Sequence, residues 1–429
     1  MTAASARSAA RSRFAAAGAS LHVRNYRLYF VGQSISVAGS FMQTLAIAFL
    51  TLELTGSGAD LGIAAAVRLL PFVLLGPLGG VIADRYDKRN LLFFTQSASA
   101  LGSIAFAVLA FAGVMTYPLL LVLSLALGCF TVLDNPARQS LISELVDRST
   151  LANAVVLNSV SLNVARVLGS VVGGTLVAVV GAPVCFLLNA VSFVAVIVGL
   201  ALMRSSEMIR TSRAPRARGQ VREGFRYAFR TPALALPLLM LTVTGILAYE
   251  FPVTLPLLAT GAFHGDAATY GLMAAVMAGG AILGGLVAAS RTSTPRRRTL
   301  ALVCVGWGTA ILVTGLAPNL LTACIALAFV GYGSITFNST AKTTLQLSSR
   351  PELRGRVMAL WALAWGGSSV IGAPLVGWLA ETFGSRWGLI AGGAPTILLG
   401  LVMLPILARE DGGTGAEPAS GPASTAGRD

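Results

Sequence analysis

The chain has 429 residues, of which 55% are hydrophobic and 11% charged, with a mean hydropathy of +0.77 and a formal net charge of +14. So few charged residues cannot wet the exterior of a soluble globular protein, which points to an all-α membrane protein. The excess of Lys and Arg reads as the mark of cytoplasmic loops, and no nucleic-acid partner is expected.

Residues 1–25 read as a basic cytoplasmic tail, without the apolar core of a cleavable signal. Apolar runs then predict twelve spanning helices over 26–53, 60–83, 89–113, 117–145, 151–180, 183–203, 232–260, 267–290, 299–317, 319–347, 355–383 and 386–408. The runs are continuous rather than alternating, so they read as helices and not as barrel strands. Residues 204–231 form a basic linker between an N-terminal bundle (26–203) and a C-terminal bundle (232–408), and 409–429 is a Gly, Ala, Ser and Pro-rich tail. Of the 31 basic residues, 28 fall in the two tails, in the connections after even-numbered spans or at the span ends beside them. The opposite connections hold Arg386 alone. This places both termini in the cytoplasm of a multi-pass protein of the cell inner membrane.

The two halves repeat. Gly128 and Asn135 match Gly331 and Asn338 at an offset of 203, as do Gly169, Gly174 and Gly181 with Gly372, Gly377 and Gly384. The run from Gly62 to Val67 is similar to that from Gly271 to Val276. Two six-helix halves are the plan of a carrier with its site between them near the midplane.

The second span ends in Gly80-Val-Ile-Ala-Asp84-Arg85-Tyr-Asp87-Lys88-Arg89. This resembles the major facilitator superfamily signature Gly-x-Leu-Ala-Asp-Arg-x-Gly-Arg-Arg, with Asp87 in place of the second Gly. The resemblance implies a major facilitator fold and a conformational gate at Gly80, Asp84, Arg85, Lys88 and Arg89. In it Asp84 meets the start of the eleventh span, near Arg354-Gly355-Arg356. A carboxylate suits a helix N-terminus; the basic cluster also serves to fix topology. The fifth span carries Gly169-Ser170-Val-Val-Gly173-Gly174, similar to the Gly-Pro-x-x-Gly-Gly element of the superfamily's exporters, with Ser170 for Pro. Small residues four apart also serve ordinary helix packing. Asp134-Asn-Pro-Ala-Arg138 and Glu352-Leu-Arg-Gly-Arg356 resemble the macrolide-efflux and enterobactin-exporter branch, the transmembrane secretion effectors. The helix-4 Arg of many proton-coupled exporters is replaced by Ser124.

Ionisable residues at membrane depth are expensive and mark candidate sites. Here they are Arg68, Asp134, Arg166 and Glu250; Glu53, Lys342 and Glu381 lie nearer span ends, where a wet or snorkelling position is expected. Two pairings are considered: Arg68 with Glu250 across the halves, and Asp134 with Arg166, set against Asp134 with Arg138. Gln33, Gln43, Tyr249, Asn338, Trp361 and Trp365 are candidates for a largely apolar substrate cavity. Four cysteines and two histidines lack metal-ligand spacing, so no metal or cofactor is expected. The reading that follows is a monomeric secondary-active exporter of amphipathic small molecules (a drug, siderophore or natural product), driven by proton antiport in the lipid bilayer. An importer of a small metabolite on the same fold is the alternative, and a membrane-embedded enzyme or non-transporting receptor is an alternative of another class.

Overall fold

The computed structural model describes residues 19–209, 220–290 and 297–413. Among the described residues, twelve helices are long and apolar enough to span a bilayer. They are α1 (Arg24–Thr55), α2 (Gly58–Arg85), α3 (Lys88–Phe111), α4 (Tyr117–Leu145), α5 (Arg148–Val180), α6 (Ala182–Ala201), α7 (Pro232–Leu247 and Phe251–Gly261), α8 (Ala267–Ser290), α9 (Arg297–Leu316), α10 (Leu320–Ser348), α11 (Arg354–Ala362, Leu363–Gly367 and Ser369–Phe383) and α12 (Trp387–Gly413). A short linker helix, Gln220–Arg230, precedes α7. Lipid offers no partner to a backbone amide, so each span closes its own hydrogen bonds and turns aliphatic side chains such as Leu74, Val179 and Leu321 outward.

Successive spans put both ends of the molecule on one face, termed here the termini face. Turns on the remote face are tight. Gly56, Gly113, Gly181 and Gly384 hold left-handed backbone there, which a Cβ would strain. Arg386, on that face, donates to the carbonyls of Gly315 and Ala317 and so closes the end of α9.

Two six-helix halves result. In the first, α1 packs on α5 and α6, α2 on α4, and α3 on α4 and α6; in the second, α9 packs on α10 and α12, and α8 on α10. Across the halves, α2 meets α11 and α5 meets α8. The sequence repeat is visible as repeated contacts. A Cβ on Gly128 would stand 2.3 Å from the Arg68 carbonyl oxygen, and one on its repeat partner Gly331 would stand 1.8 Å from that of Met277. The cross-half contacts repeat too: Gly62 faces the Ala373 carbonyl, as Gly271 faces that of Ser170.

Two spans depart from the predicted continuous helices. The α7 helix is broken between Leu247 and Phe251, with Glu250 at φ −82°, ψ 38°. Pro252 lacks the N–H that would bond the Ala248 carbonyl, and its ring crowds that carbonyl. In α11, Leu363–Gly367 loosens into a π-helical turn at Gly366-Gly367, a widening often found at functional sites.

Substituting Gly331→Ala forces a Cβ into the α8 backbone and is expected to lower stability by about 1–3 kcal/mol. Gly306→Ala, whose Cβ meets open space, is expected to be neutral. Thermal unfolding of the two purified variants in detergent checks the contrast.

Candidate functional site

The halves meet most closely at the remote face. At the remote end, a Cβ on Gly62 would lie 2.2 Å from the Ala373 oxygen, and one on Gly174 would lie 2.9 Å from the Gly271 Cα. Glycines let the backbones approach this closely. The remote half of α7 packs on α1 and α2, whereas the half nearer the termini packs on α10, α11, α12 and the linker helix. In α5, Val155, Val156, Val160 and Val164 of the termini-side half are exposed. The closest cross-half contacts thus lie at the remote end, and at the level of the α7 break α2 still meets the π turn of α11 through Phe72 and Val73.

The second half contributes an aromatic wall at this level. Trp307 and Phe337 are fully buried and stack at 5.5 Å. Tyr249, in the α7 break, sits 4.6 Å from the Trp307 ring and 6.4 Å from that of Trp365. Its hydroxyl donates to the Ser334 carbonyl and also bonds Asn338. Trp361 and Trp365 stack in parallel at 6.1 Å, and the Lys342 ammonium lies 4.8 Å from the Trp361 ring centre. Four predicted cavity residues are thus brought into one cluster, and Trp307 joins them. The sequence reading passed over Trp307, although a lone Trp well inside a span was a usable signal.

Glu250 is buried beside this wall. It hydrogen-bonds with Ser369, just past the π turn, while its Oε1 has no partner. No ion pair joins it to Arg68 among the described residues, and the Arg68 Nη1 is likewise buried without a hydrogen-bond partner. The considered Arg68–Glu250 pair is therefore not made in this conformation. The first half adds Gln33, with a buried unpartnered Oε1, and Arg166, whose guanidinium lies 5.1 Å from the Phe41 ring centre and whose Nε has no hydrogen-bond partner.

Asp134 is not paired with Arg166. Its Oδ2 lies 2.7 Å from the Arg138 Nε, and its Oδ1 accepts from Thr95 and Gln96 on α3. Consecutive in the chain, α4 and α5 have different main partners: α4 packs mainly on α2 and α3 while α5 packs on α1 and α8, so the two charges face different ways. Gln43 also leaves the predicted cavity. It is buried in the first half, where its Oε1 accepts from Ser103 on α3 and Asn189 on α6.

The signature loop is tied into its own half. Lys88 pairs with Glu144 at 3.2 Å, and Arg89 donates to the Leu200 and Ala201 carbonyls and to Ser205. Asp87, the departure from the signature, caps α3 by accepting from the Asn90 N–H, so no glycine is needed at this turn. Arg85 is exposed and Gly80 has open space around its Cα. The side chain of Asp84 lies outside the described residues. The α5 glycines split their work: Gly169 and Gly173 pack on α1, and Gly174 packs on α8.

A family model described as "Transmembrane secretion effector" matches residues 15–416. The chain is 25% identical over 382 residues to the multidrug efflux pump Tap of Mycobacterium tuberculosis, covering 86% of this chain and 90% of that one. It is 26% identical to the enterobactin exporter EntS of Citrobacter koseri, covering 89% and 91%. A bacterial homologue of the lysosomal transporter Spinster, solved in an inward-facing unoccupied conformation, superposes with a TM-score of 0.64 at 16% identity over 91% of this chain and 96% of that one, a likeness of fold.

A double-mutant cycle on thermal stability tests the charge assignment. Asp134→Asn with Arg138→Gln is expected to show a coupling of about 0.5–3 kcal/mol, and Asp134→Asn with Arg166→Gln none.

Proposed function

We propose, from the premise that the chain belongs to the transmembrane secretion effector family and is a small-molecule transporter of the major facilitator fold, that it is a secondary-active exporter of amphipathic compounds driven by proton antiport. The observation that carries this is the uneven contact between the halves, which is closest at the glycine seams of the remote end, while the face read as the route for substrate is the termini face, which the basic residues assign to the cytoplasm. One wall is aromatic, built from Tyr249, Trp361 and Trp365, and the other offers Gln33 and Arg166. Aromatic faces with a few polar groups suit amphipathic molecules of varied shape. Tap and EntS, named for a multidrug and a siderophore activity, bracket the chemical range. Rocking of the halves about the site exchanges the open face.

Glu250 is the proton carrier in this reading. Asp134 is engaged by three partners and serves structure. Glu250 is buried with a spare oxygen at a helix break that reaches the aromatic wall. An unpaired buried charge is costly, so such a carboxyl crosses most cheaply as the uncharged acid. Once exposed to the cytoplasmic side, it releases its proton and the site accepts substrate.

The test begins with intracellular accumulation of a compound panel (lipophilic cations, weak acids and catecholate siderophores) in efflux-deficient cells, with and without the gene and a protonophore. At least one class is expected to be depleted by the gene and restored by the protonophore. For a compound so identified, Glu250→Gln in proteoliposomes is expected to bring gradient-driven transport to background while substrate exchange without a gradient persists. Full gradient dependence in Glu250→Gln removes this residue from coupling.

A further inference from the structure

The seam between α2 and α11 carries a polar fastening at its remote end. Glu381 Oε2 accepts from the Ser57 hydroxyl at 2.7 Å and from the Ala59 backbone N–H at 2.9 Å. Ser57 is the N-cap of α2, and its Oγ at the same time accepts from the Asp60 N–H. A carboxylate from the second half therefore completes the capping of a helix that belongs to the first. Free N–H groups at a helix start favour a negative charge, so the contact is stronger than a neutral hydrogen bond. It sits one to two turns beyond the glycine contacts Gly58–Gly377 and Gly62–Ala373 and joins the halves where they are closed. Glu381 is exposed, so water on that face reaches it.

The repeat supplies an internal comparison. Gly62 corresponds to Gly271 and Ala373 to Ser170, so Ser57 corresponds to Asp266 and Glu381 to Ala178. On that second seam α8 is capped from within its own half, Asp266 Oδ1 accepting from the Thr269 N–H. Ala178 has no polar group to offer. A cleft of about 530 Å³ opens there, lined by Ala178, Gly181, Asp266 and Ala267. The fastening is thus a feature of one seam, added to a pseudo-symmetric plan that does not require it.

We propose that Glu381 is the outer-gate latch of this transporter: ionised, it holds the remote face shut by capping α2 across the halves, and protonation from that side releases it. This rests on the alternating-access reading above. Because both bonds favour the ionised carboxylate, outer-side acid acts on the latch only at a pH low enough to protonate it, and there it weakens both bonds and favours the outward-open state. Other ionisable groups at this end of the elements packed on α11 are Asp60 on α2 and Arg386 before α12; the remote half of α7 carries none. Tyr117 hydrogen-bonds both the backbone carbonyl and the side chain of Asp60, and Arg386 donates to the Gly315 and Ala317 carbonyls.

The test reads distances rather than transport, in full-length protein reconstituted in lipid nanodiscs with the native cysteines replaced. Spin labels at Val114 and Leu316 report the remote face, and labels at Ser149 and Pro351 report the termini face. In the parent protein, acidification is expected to lengthen the remote-face distance and shorten the other. Glu381→Gln, which keeps an acceptor but loses the charge, is expected to show the longer remote-face population already at neutral pH and to lose most of the pH response. Asp60→Asn is expected to keep that response. A Glu381→Gln protein with the parent's distances and pH response overturns the latch while leaving alternating access intact. Distances that stay fixed on both faces in the parent, at every pH and with every transported compound, overturn the latch and the alternating-access reading together.

Discussion

The architecture depends on the close approach of backbones at two glycine-lined seams. Gly62 against Ala373 and Gly174 against Gly271 bring helices of opposite halves nearer than any side chain permits. In lipid there is no hydrophobic drive to press helices together, so close packing of small residues supplies the cohesion. These contacts cluster at one end, so the two halves are drawn together most tightly there.

The helix irregularities lie on the termini side of those contacts. The break at Ala248-Tyr249-Glu250 and the π turn at Leu363–Gly367 are adjacent, for a Cβ on Gly245 would lie 2.1 Å from the Ser368 hydroxyl. Broken helices at membrane depth are tolerated where the freed groups find partners or line a cavity. Here the interruption aims Tyr249 at Trp307 and Trp365 and buries the Glu250 carboxyl against Ser369. The two spans that cover the site on the second half are thus also those least able to act as rigid rods.

Charge is distributed by a similar logic. Asp134, Lys88, Arg89 and Glu144 are engaged within the first half near the termini face and make that half rigid. Arg68, Arg166, Gln33 and Glu250 each keep a buried polar atom without a hydrogen-bond partner. Satisfied networks specify a unique packing, while unsatisfied groups at a cavity wall are those with something left to bind.

The sequence by itself determined the spans, the repeat and the family. Apolar run length is set by bilayer thickness, and the predicted 117–145, 267–290 and 232–260 fall within a residue of the ends observed. It also supplied the right kinds of site residue, since a charge or tryptophan inside a span stands out against an aliphatic background. It misjudged partnership. Asp134 was set with Arg166 and Gln43 was given to the cavity; Glu381 is exposed at its span end as expected, but its bonds across the halves were not foreseen. Asp134 is held by Arg138, one turn on in its own helix and the alternative the sequence reading had set against Arg166, together with Thr95 and Gln96 on α3; the partners of Gln43 (Ser103 and Asn189) and of Glu381 (Ser57 and Ala59) lie on other helices. Which helix faces which, and how far one is rotated about its axis, is fixed by packing within and between the halves that no local pattern encodes. Only the tertiary structure decided where the seams close, and so which charged groups are fully engaged and which keep a buried polar atom without a hydrogen-bond partner.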